Sequence, residues 1–345
     1  MERYLGIDVH RDSSTIVVLS ATGKRVHRDL VETNGQVLVR YVKQLRGKLH
    51  VCIEESTWSE WLYEILSPHV AELVVYQNQW TPGAKSDAID AHGLAEKLRI
   101  GQIGPGVFKA PKRFRKLREW ARVYQAITLD TARAKNRLKS QFRRRGIRCS
   151  GTSVYDPRTR DDWLKQLPAA MRPTAELLGN ELDCLALLKA EAEAALLKES
   201  HRHRISKILE TAPGIGPIRT ALVIATVVTP HRFRSKRQFW SYCGFGIVTR
   251  SSADWVQSQE GWIKARTTQT RGLNRNHNPT LKGIFKSAAM TAICQTKADH
   301  PLRADYDRLC DAGTRPHLAR ITIARKIAAT VLAMWKNEEA YNPVT

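Results

Sequence analysis

Two aspartates, Asp87 and Asp90, stand three residues apart in "KSDAIDAHGLAE" (85–96). On a helix that spacing puts both carboxylates on one face, where they repel unless a cation lies between them. Alone, the pair also fits a solvated helix face. Two further acids change the weighting. Asp8 lies inside the apolar run "LGIDVH", and Glu54 ends another, "HVCIEES". A carboxylate buried among such neighbours needs a partner charge or a metal. Gathered in one place, Asp8, Glu54, Asp87 and Asp90 would offer hard oxygen donors of the kind that hold two magnesium ions. Such a site aligns an attacking oxygen and polarises a phosphodiester. Glu55 is the open alternative to Glu54, because a slip of one residue in a strand exchanges its faces. The ordinary alternative for Asp8 is a strand residue near a turn.

These side chains meet only if the elements around them bring them together. Residues 3–10, 14–21 and 24–33 alternate as strands, 34–46 read as a helix, and 49–56 as a buried strand. A helix over 58–69, ended by Pro68, and a strand over 71–77 follow. The order predicts three antiparallel strands followed by parallel additions, which is the order of an α/β ribonuclease-H-like fold over residues 1–106. In such a sheet the first and fourth strands are neighbours, so Asp8 and Glu54 come to one end of it.

The rest of the chain is different material. The formal net charge of +23 and the pI near 10.1 favour a polyanionic partner, nucleic acid first. Residues 107–150 form a basic helical segment in which only Glu119 and Asp130 oppose the cations between Lys109 and Arg148. Arg113, Arg115, Lys116, Arg137, Arg143, Arg144 and Arg145 are its candidate phosphate contacts. Residues 151–204 contain an acidic, Leu/Ala-rich helix that reads as a spacer, a coiled coil or half of a helical hairpin. A helical domain is expected over 205–345. It opens on "PGIGP", where Gly214 and Gly216 suit either a helix-hairpin-helix that binds phosphate or a plain turn. An amphipathic helix over 318–337 closes it.

Several classes are disfavoured. The six cysteines include no CxxC pair, against a zinc knuckle. No early apolar run forms a signal peptide, and no stretch approaches the roughly 20 residues of a membrane span. The expectation is a cytoplasmic, nucleoid-associated protein with no membrane partner. "GIDVH" also suits an actin-like kinase, but no phosphate loop accompanies it and the charge opposes it.

The set "YLGIDVH", "HVCIEES" and "KSDAIDAHGLAE" resembles the DEDD signature of the insertion-sequence-110 transposases, whose N-terminal domain is similar to the RuvC-like Holliday-junction resolvases. Residues 208–255 and 271–289 resemble that family's second domain. The resemblance implies that Asp8, Glu54, Asp87 and Asp90 bind Mg2+, two ions to a site. It also implies that Ser252 in "TRSSADW" is a nucleophile that becomes covalently linked to DNA, at a position where Ser251 is the adjacent alternative. Arg250 and Lys282 become phosphate clamps beside it. A structured guide RNA encoded by the element, donor and target DNA, and a homo-oligomer, dimer or tetramer, are the implied partners. This sequence departs from the family in having Ala253 where Gly follows the serine and "EEST" after the strand, and residues 256–270 look like a local insertion. Two rival functions stay open: a metal-dependent junction nuclease in which Ser252 is structural, and a non-catalytic nucleic-acid-binding protein.

Overall fold

The computed structural model describes residues 1–77, 86–104, 106–250, 255–259, 261–264, 269–295 and 300–342. The chain divides into two compact units, Met1–Pro111 and Lys112–Thr345.

The first unit is a mixed five-stranded sheet with helices on both faces. Its strands are β1 (Glu2–Val9), β2 (Ser13–Ser20), β3 (Arg25–Glu32), β4 (Lys48–Glu54) and β5 (Glu72–Tyr76), in the order β3-β2-β1-β4-β5. β1, β2 and β3 are antiparallel, and β4 and β5 add in parallel. Parallel addition needs crossovers, and helices α1 (Gly35–Gln44) and α2 (Ser59–Leu66) supply them. α1 starts where it does because the Asn34 side chain accepts from the amides of Gln36 and Val37. The apolar sides of both helices pack on Leu5, Ile7, Ile16, Val18, Val51 and Ile53.

The opposite face is covered by α3 (Asp87–Arg99) through Ala91 and Ala95. Strand alternation divides the sheet between the two coverings. Leu5, Ile7, Val51 and Ile53 face α1 and α2, while Gly6, Asp8, Cys52 and Glu54 face α3.

The second unit is mostly helical. α4 (Arg115–Arg143) and α6 (Arg172–Ser200) run together, joined through α5 (Pro157–Lys165). They share a core of Leu138, Phe142, Val154, Leu164 and Leu182. The acidic helix expected as a spacer is therefore packed along the basic one. Arg160, with only 7% of its side chain exposed, donates two hydrogen bonds to Asp183 on α6 at 2.6 and 2.7 Å. It fits because residue 179 is glycine; a Cβ there would lie 2.7 Å from the Arg160 side chain.

Helices α7 (Ile205–Leu209), α8 (Pro217–Val227), α9 (Lys236–Tyr242), α10 (Pro279–Gln295), α11 (Pro301–Asp311) and α12 (Pro316–Asn337) follow. Phe239 of α9 meets Phe233 and Phe285 edge-on in their core. An all-helical end was expected, but two short ribbons interrupt it. β6 (Ile247–Arg250) pairs with β9 (Gln269–Leu273), and β7 (Trp255–Ser258) with β8 (Gly261–Lys264). The segment read as an insertion thus includes a hairpin. Gly261, at φ 112°, makes its turn possible.

Candidate active site at the end of the sheet

The register of β1 and β4 places the first two acids. Ile7 pairs with Ile53, so Asp8 and Glu54 follow at the same level on neighbouring strands and on the α3 side. Glu55 turns to the other face. There it accepts from Lys109 Nζ at 2.7 Å and from Ser59 Oγ at 3.2 Å. Of the two adjacent glutamates, the one beside Asp8 is therefore Glu54.

α3 delivers the second pair. Ser86 caps it, its Oγ accepting from the Ile89 amide at 3.3 Å, so that Asp87 and Asp90 fall in the first turn. Carboxylates there are also favoured by the helix dipole, which is the mundane reason for acids at such a position. What goes beyond it is the close seating of the helix on the strand. A Cβ at Gly6 would lie 1.9 Å from the Ala91 carbonyl oxygen and 2.7 Å from the Ala95 nitrogen. Only glycine lets α3 approach close enough to bring Asp87 to Asp8. Gly6→Ala is expected to lose about 3 kcal/mol of stability, because the helix must lift off the sheet. It should also lose the divalent-ion-induced rise in melting temperature. A variant that melts and responds to ions like the parent would show that the helix can move without cost.

Asp8 is the least exposed member, half-buried with 13% of its side chain exposed, and His10 lies between it and Asp87. His10 Nε2 is 3.3 Å from an oxygen of each aspartate. One ligand atom from each of Asp8, His10 and Asp87 lies within 4.8 Å of the others. Burial pushes the Asp8 carboxyl above its usual range; His10 opposes that shift, while the charges of Asp87 and Asp90 add to it. His10 is raised in turn, chiefly by the Asp8 carboxylate. Asp90 thus acts electrostatically on the same point, and Glu54 borders it by register. The nearby Cys52 thiol is pushed up to about 12 by burial, which leaves it no thiolate for chemistry at neutral pH.

A carboxylate that burial and like charges disfavour could, with the oxygens beside it, hold a cation. Hard oxygens suit Mg2+ or Mn2+, and the imidazole also tolerates Mn2+. The sequence reading did not single out His10. Its signal was the Asp-x-His spacing at the end of a strand.

Both raised groups give their protonated forms a stabilising role. That contribution is complete below the ordinary values, near 4 for Asp and 6.5 for His, and fades as pH climbs through the raised ones. A divalent ion needs both protons gone. Its stabilisation, read as a rise in melting temperature with Mn2+ or Mg2+, should therefore grow from about pH 5 to pH 8. A shift independent of pH would place the ion elsewhere.

Comparison with known proteins adds the decisive observation. A transposase family model of the DEDD IS110 type matches residues 5–145, spanning all four acids. A second, described as the transposase IS116/IS110/IS902 family, matches residues 206–306. The chain belongs to the IS110 transposase family.

Among curated relatives of this IS110-family chain is the transposase for insertion sequence element IS1533 of Leptospira borgpetersenii. It is 24% identical over 173 residues, 48% of this chain and 50% of that protein. Another is an uncharacterised 42 kDa protein of insertion element IS900 from Mycobacterium paratuberculosis. It is 24% identical over 169 residues, 49% of this chain and 39% of that protein. The chain thus aligns with half or less of the length of these relatives.

The remaining candidate residues of the IS110-family chain lie in the second unit. Arg113 precedes α4 and stands over the Phe114 ring, 5.1 Å from its centroid. Arg115 begins α4 and is half-buried. Lys116 lies 3.7 Å from Glu199, and Arg137 pairs with Glu181. Part of the charge relief expected from a polyanion therefore comes from α6. Arg143, Arg144 and Arg145 are exposed at the end of α4.

Gly214, at φ 70°, lies against α10, where a Cβ would come within 2.3 Å of the Ala288 carbonyl oxygen. That close approach requires glycine there. Gly216, at the start of α8, has open space beside it. Lys282 is half-buried in α10 and Arg250 ends β6. Ser252 and Ser251 lie outside the described residues.

Among the described residues, no helix is long and apolar enough to cross a membrane.

Proposed function

We propose that this chain is a DNA transposase that cuts and rejoins strands through a serine ester, with a ribonuclease-H-like first unit as the ion-holding part. The observation that carries the reading is the gathering of Asp87 and Asp90 around the half-buried carboxylate of Asp8, with Glu54 level with it on the next strand. Two divalent ions, when bound, would polarise the phosphodiester and neutralise charge that builds on its oxygens. Asp8 and Asp87 would hold them, with Asp90 and Glu54 completing the donor set. His10 would give up its bridging position and its proton.

In the proposed reaction Ser252 Oγ attacks phosphorus. A phosphoserine ester forms, the bond to one sugar oxygen breaks, and that oxygen leaves with a proton as a hydroxyl. A hydroxyl from another strand then attacks the ester, forms the new phosphodiester and returns Ser252. The phosphate bond count is unchanged, so no ATP is needed.

A structured guide RNA would choose the sites by base pairing, while the protein holds backbone. The exposed Arg143–Arg145 run supports that role. Synapsis of two duplexes would require a dimer or tetramer.

Sequencing the nucleic acid that copurifies with the full chain tests the RNA part. One short structured RNA encoded beside the gene is the expected result. A random sample of cellular RNA would remove guidance from the reading and leave the strand chemistry to be judged on Ser252.

A further inference from the structure

The second unit contains a cleft of about 600 Å³ that the reading above does not use. It lies among the start of α4, the joint between α6 and α7, the turn after α8 and the end of α12. Its volume falls within the range of small-ligand pockets.

The floor of the cleft is apolar and aromatic. Phe114 and Trp335 line it, 6% and 8% exposed. Phe114 is stacked on His203, with centroids 4.7 Å apart and planes 6° from parallel.

The rim is basic. Arg113, Arg202 and Arg204 stand on it, and the acids present are shared rather than spare. Glu199 lies 3.7 Å from Lys116 and 3.4 Å from Arg202, and Glu338 lies 3.7 Å from Arg204. The Arg204–Glu338 pair is exposed on both sides and weak, so a phosphate can displace it, whereas Glu199 is buried against its two cations. Lys336 is already committed, donating to the Phe233 carbonyl at 2.7 Å.

The backbone supplies an independent sign. Among the described residues, only Val228 and Glu338 have positive φ without being glycine, and both line this cleft. Val228 is the severe case, a β-branched residue at φ 65°. The Thr229 amide donates across it to the Val227 carbonyl at 2.7 Å, closing a strained γ-turn. Backbone held this way concentrates at binding sites.

We propose that this cleft takes one unstacked nucleotide of a polynucleotide, its base on the Phe114–Trp335 floor and its phosphate at the arginine rim. The inference rests on the reading of the chain as a nucleic-acid enzyme. It names a place in the second unit where single-stranded or bulged nucleic acid is gripped. Aromatic floors and cationic rims hold bases of any identity, because every base has a flat face.

The probe is a methylanthraniloyl-labelled AMP, followed by anisotropy on the full chain after high-salt removal of bound nucleic acid. Saturable binding is expected, displaced about ten-fold better by AMP than by inorganic phosphate, the margin that base stacking supplies. Arg113 and Arg204 are exposed, so the double replacement Arg113→Ala, Arg204→Ala should fold, and it should weaken binding at least about five-fold. Glu338→Gly removes an acid and suits its left-handed backbone, and should tighten binding about two-fold. Hairpins with one bulged adenosine, in ribose and deoxyribose form, should compete better than fully paired ones, and the better of the two identifies the strand.

Inorganic phosphate competing as well as AMP, an unaffected double variant, or no saturable binding would overturn the cleft. None of these results touches the Asp8- and Ser252-dependent strand chemistry, which is measured separately.

Discussion

Asp8→Asn will lower strand cleavage and rejoining by about a thousand-fold or more, the scale set by losing preorganised charge at a reacting phosphate. Nucleic-acid binding should stay within about two-fold, because phosphate contacts elsewhere dominate affinity. Asn keeps the shape of the side chain and removes its charge. In the metal-free chain burial and the charges of Asp87 and Asp90 disfavour that charge, while the contact with His10 favours it. Burial is the largest of these, so the metal-free variant should melt no lower than the parent at neutral pH. Its rise in melting temperature with Mn2+ or Mg2+ should vanish. Activity lost, ion response lost and stability kept is a combination that a merely structural Asp8 would not produce. Cleavage that persists in Asp8→Asn would remove the acidic cluster from the chemistry.

Ser252→Ala has the second largest expected effect, and it separates the proposed transposase from a simple nuclease. If Ser252 carries the DNA, denaturing gels of the parent with end-labelled DNA will show a protein–DNA adduct. The alanine variant will show none, with rejoining down by about a thousand-fold or more, as expected when a covalent nucleophile is removed. Ser251→Ala run alongside decides between the neighbouring hydroxyls. A variant that forms no adduct yet cuts fully by hydrolysis would favour the metal-dependent nuclease. An adduct lost in Ser251→Ala and kept in Ser252→Ala would move the nucleophile by one residue. The melting temperature of each variant guards against misfolding.

Local pattern was enough for the first unit's strands and helices because their signals are local. Alternation in "STIVVLSA" and the apolar run before Glu54 both report burial on a sheet. The ribbons β6–β9 were not legible in the same way. Four- and five-residue strands carry too few side chains to show a period, so the segment looked like an insertion among helices. The role of the acidic helix was hidden for a different reason. Composition records that residues 174–200 are acidic, but not that Glu181 reaches Arg137 or that Asp183 reaches Arg160 across a helix pair.

From the sequence alone came the identity of the acids, the three-residue spacing of Asp87 and Asp90, the basic helix, and a strand order that makes β1 and β4 neighbours. The first three depend on residue type and short-range period, and the last on the strand order of the expected fold. Only the tertiary structure decided which glutamate stands beside Asp8, since pairing Ile7 with Ile53 turns Glu54 towards α3 and sends Glu55 to Lys109. It also placed His10 between two aspartates 79 positions apart in the chain, Asp8 and Asp87. The physical reason is the same in both cases. Register and helix seating are set by packing across the sheet, and the missing side chain of Gly6 is what allows α3 to come close.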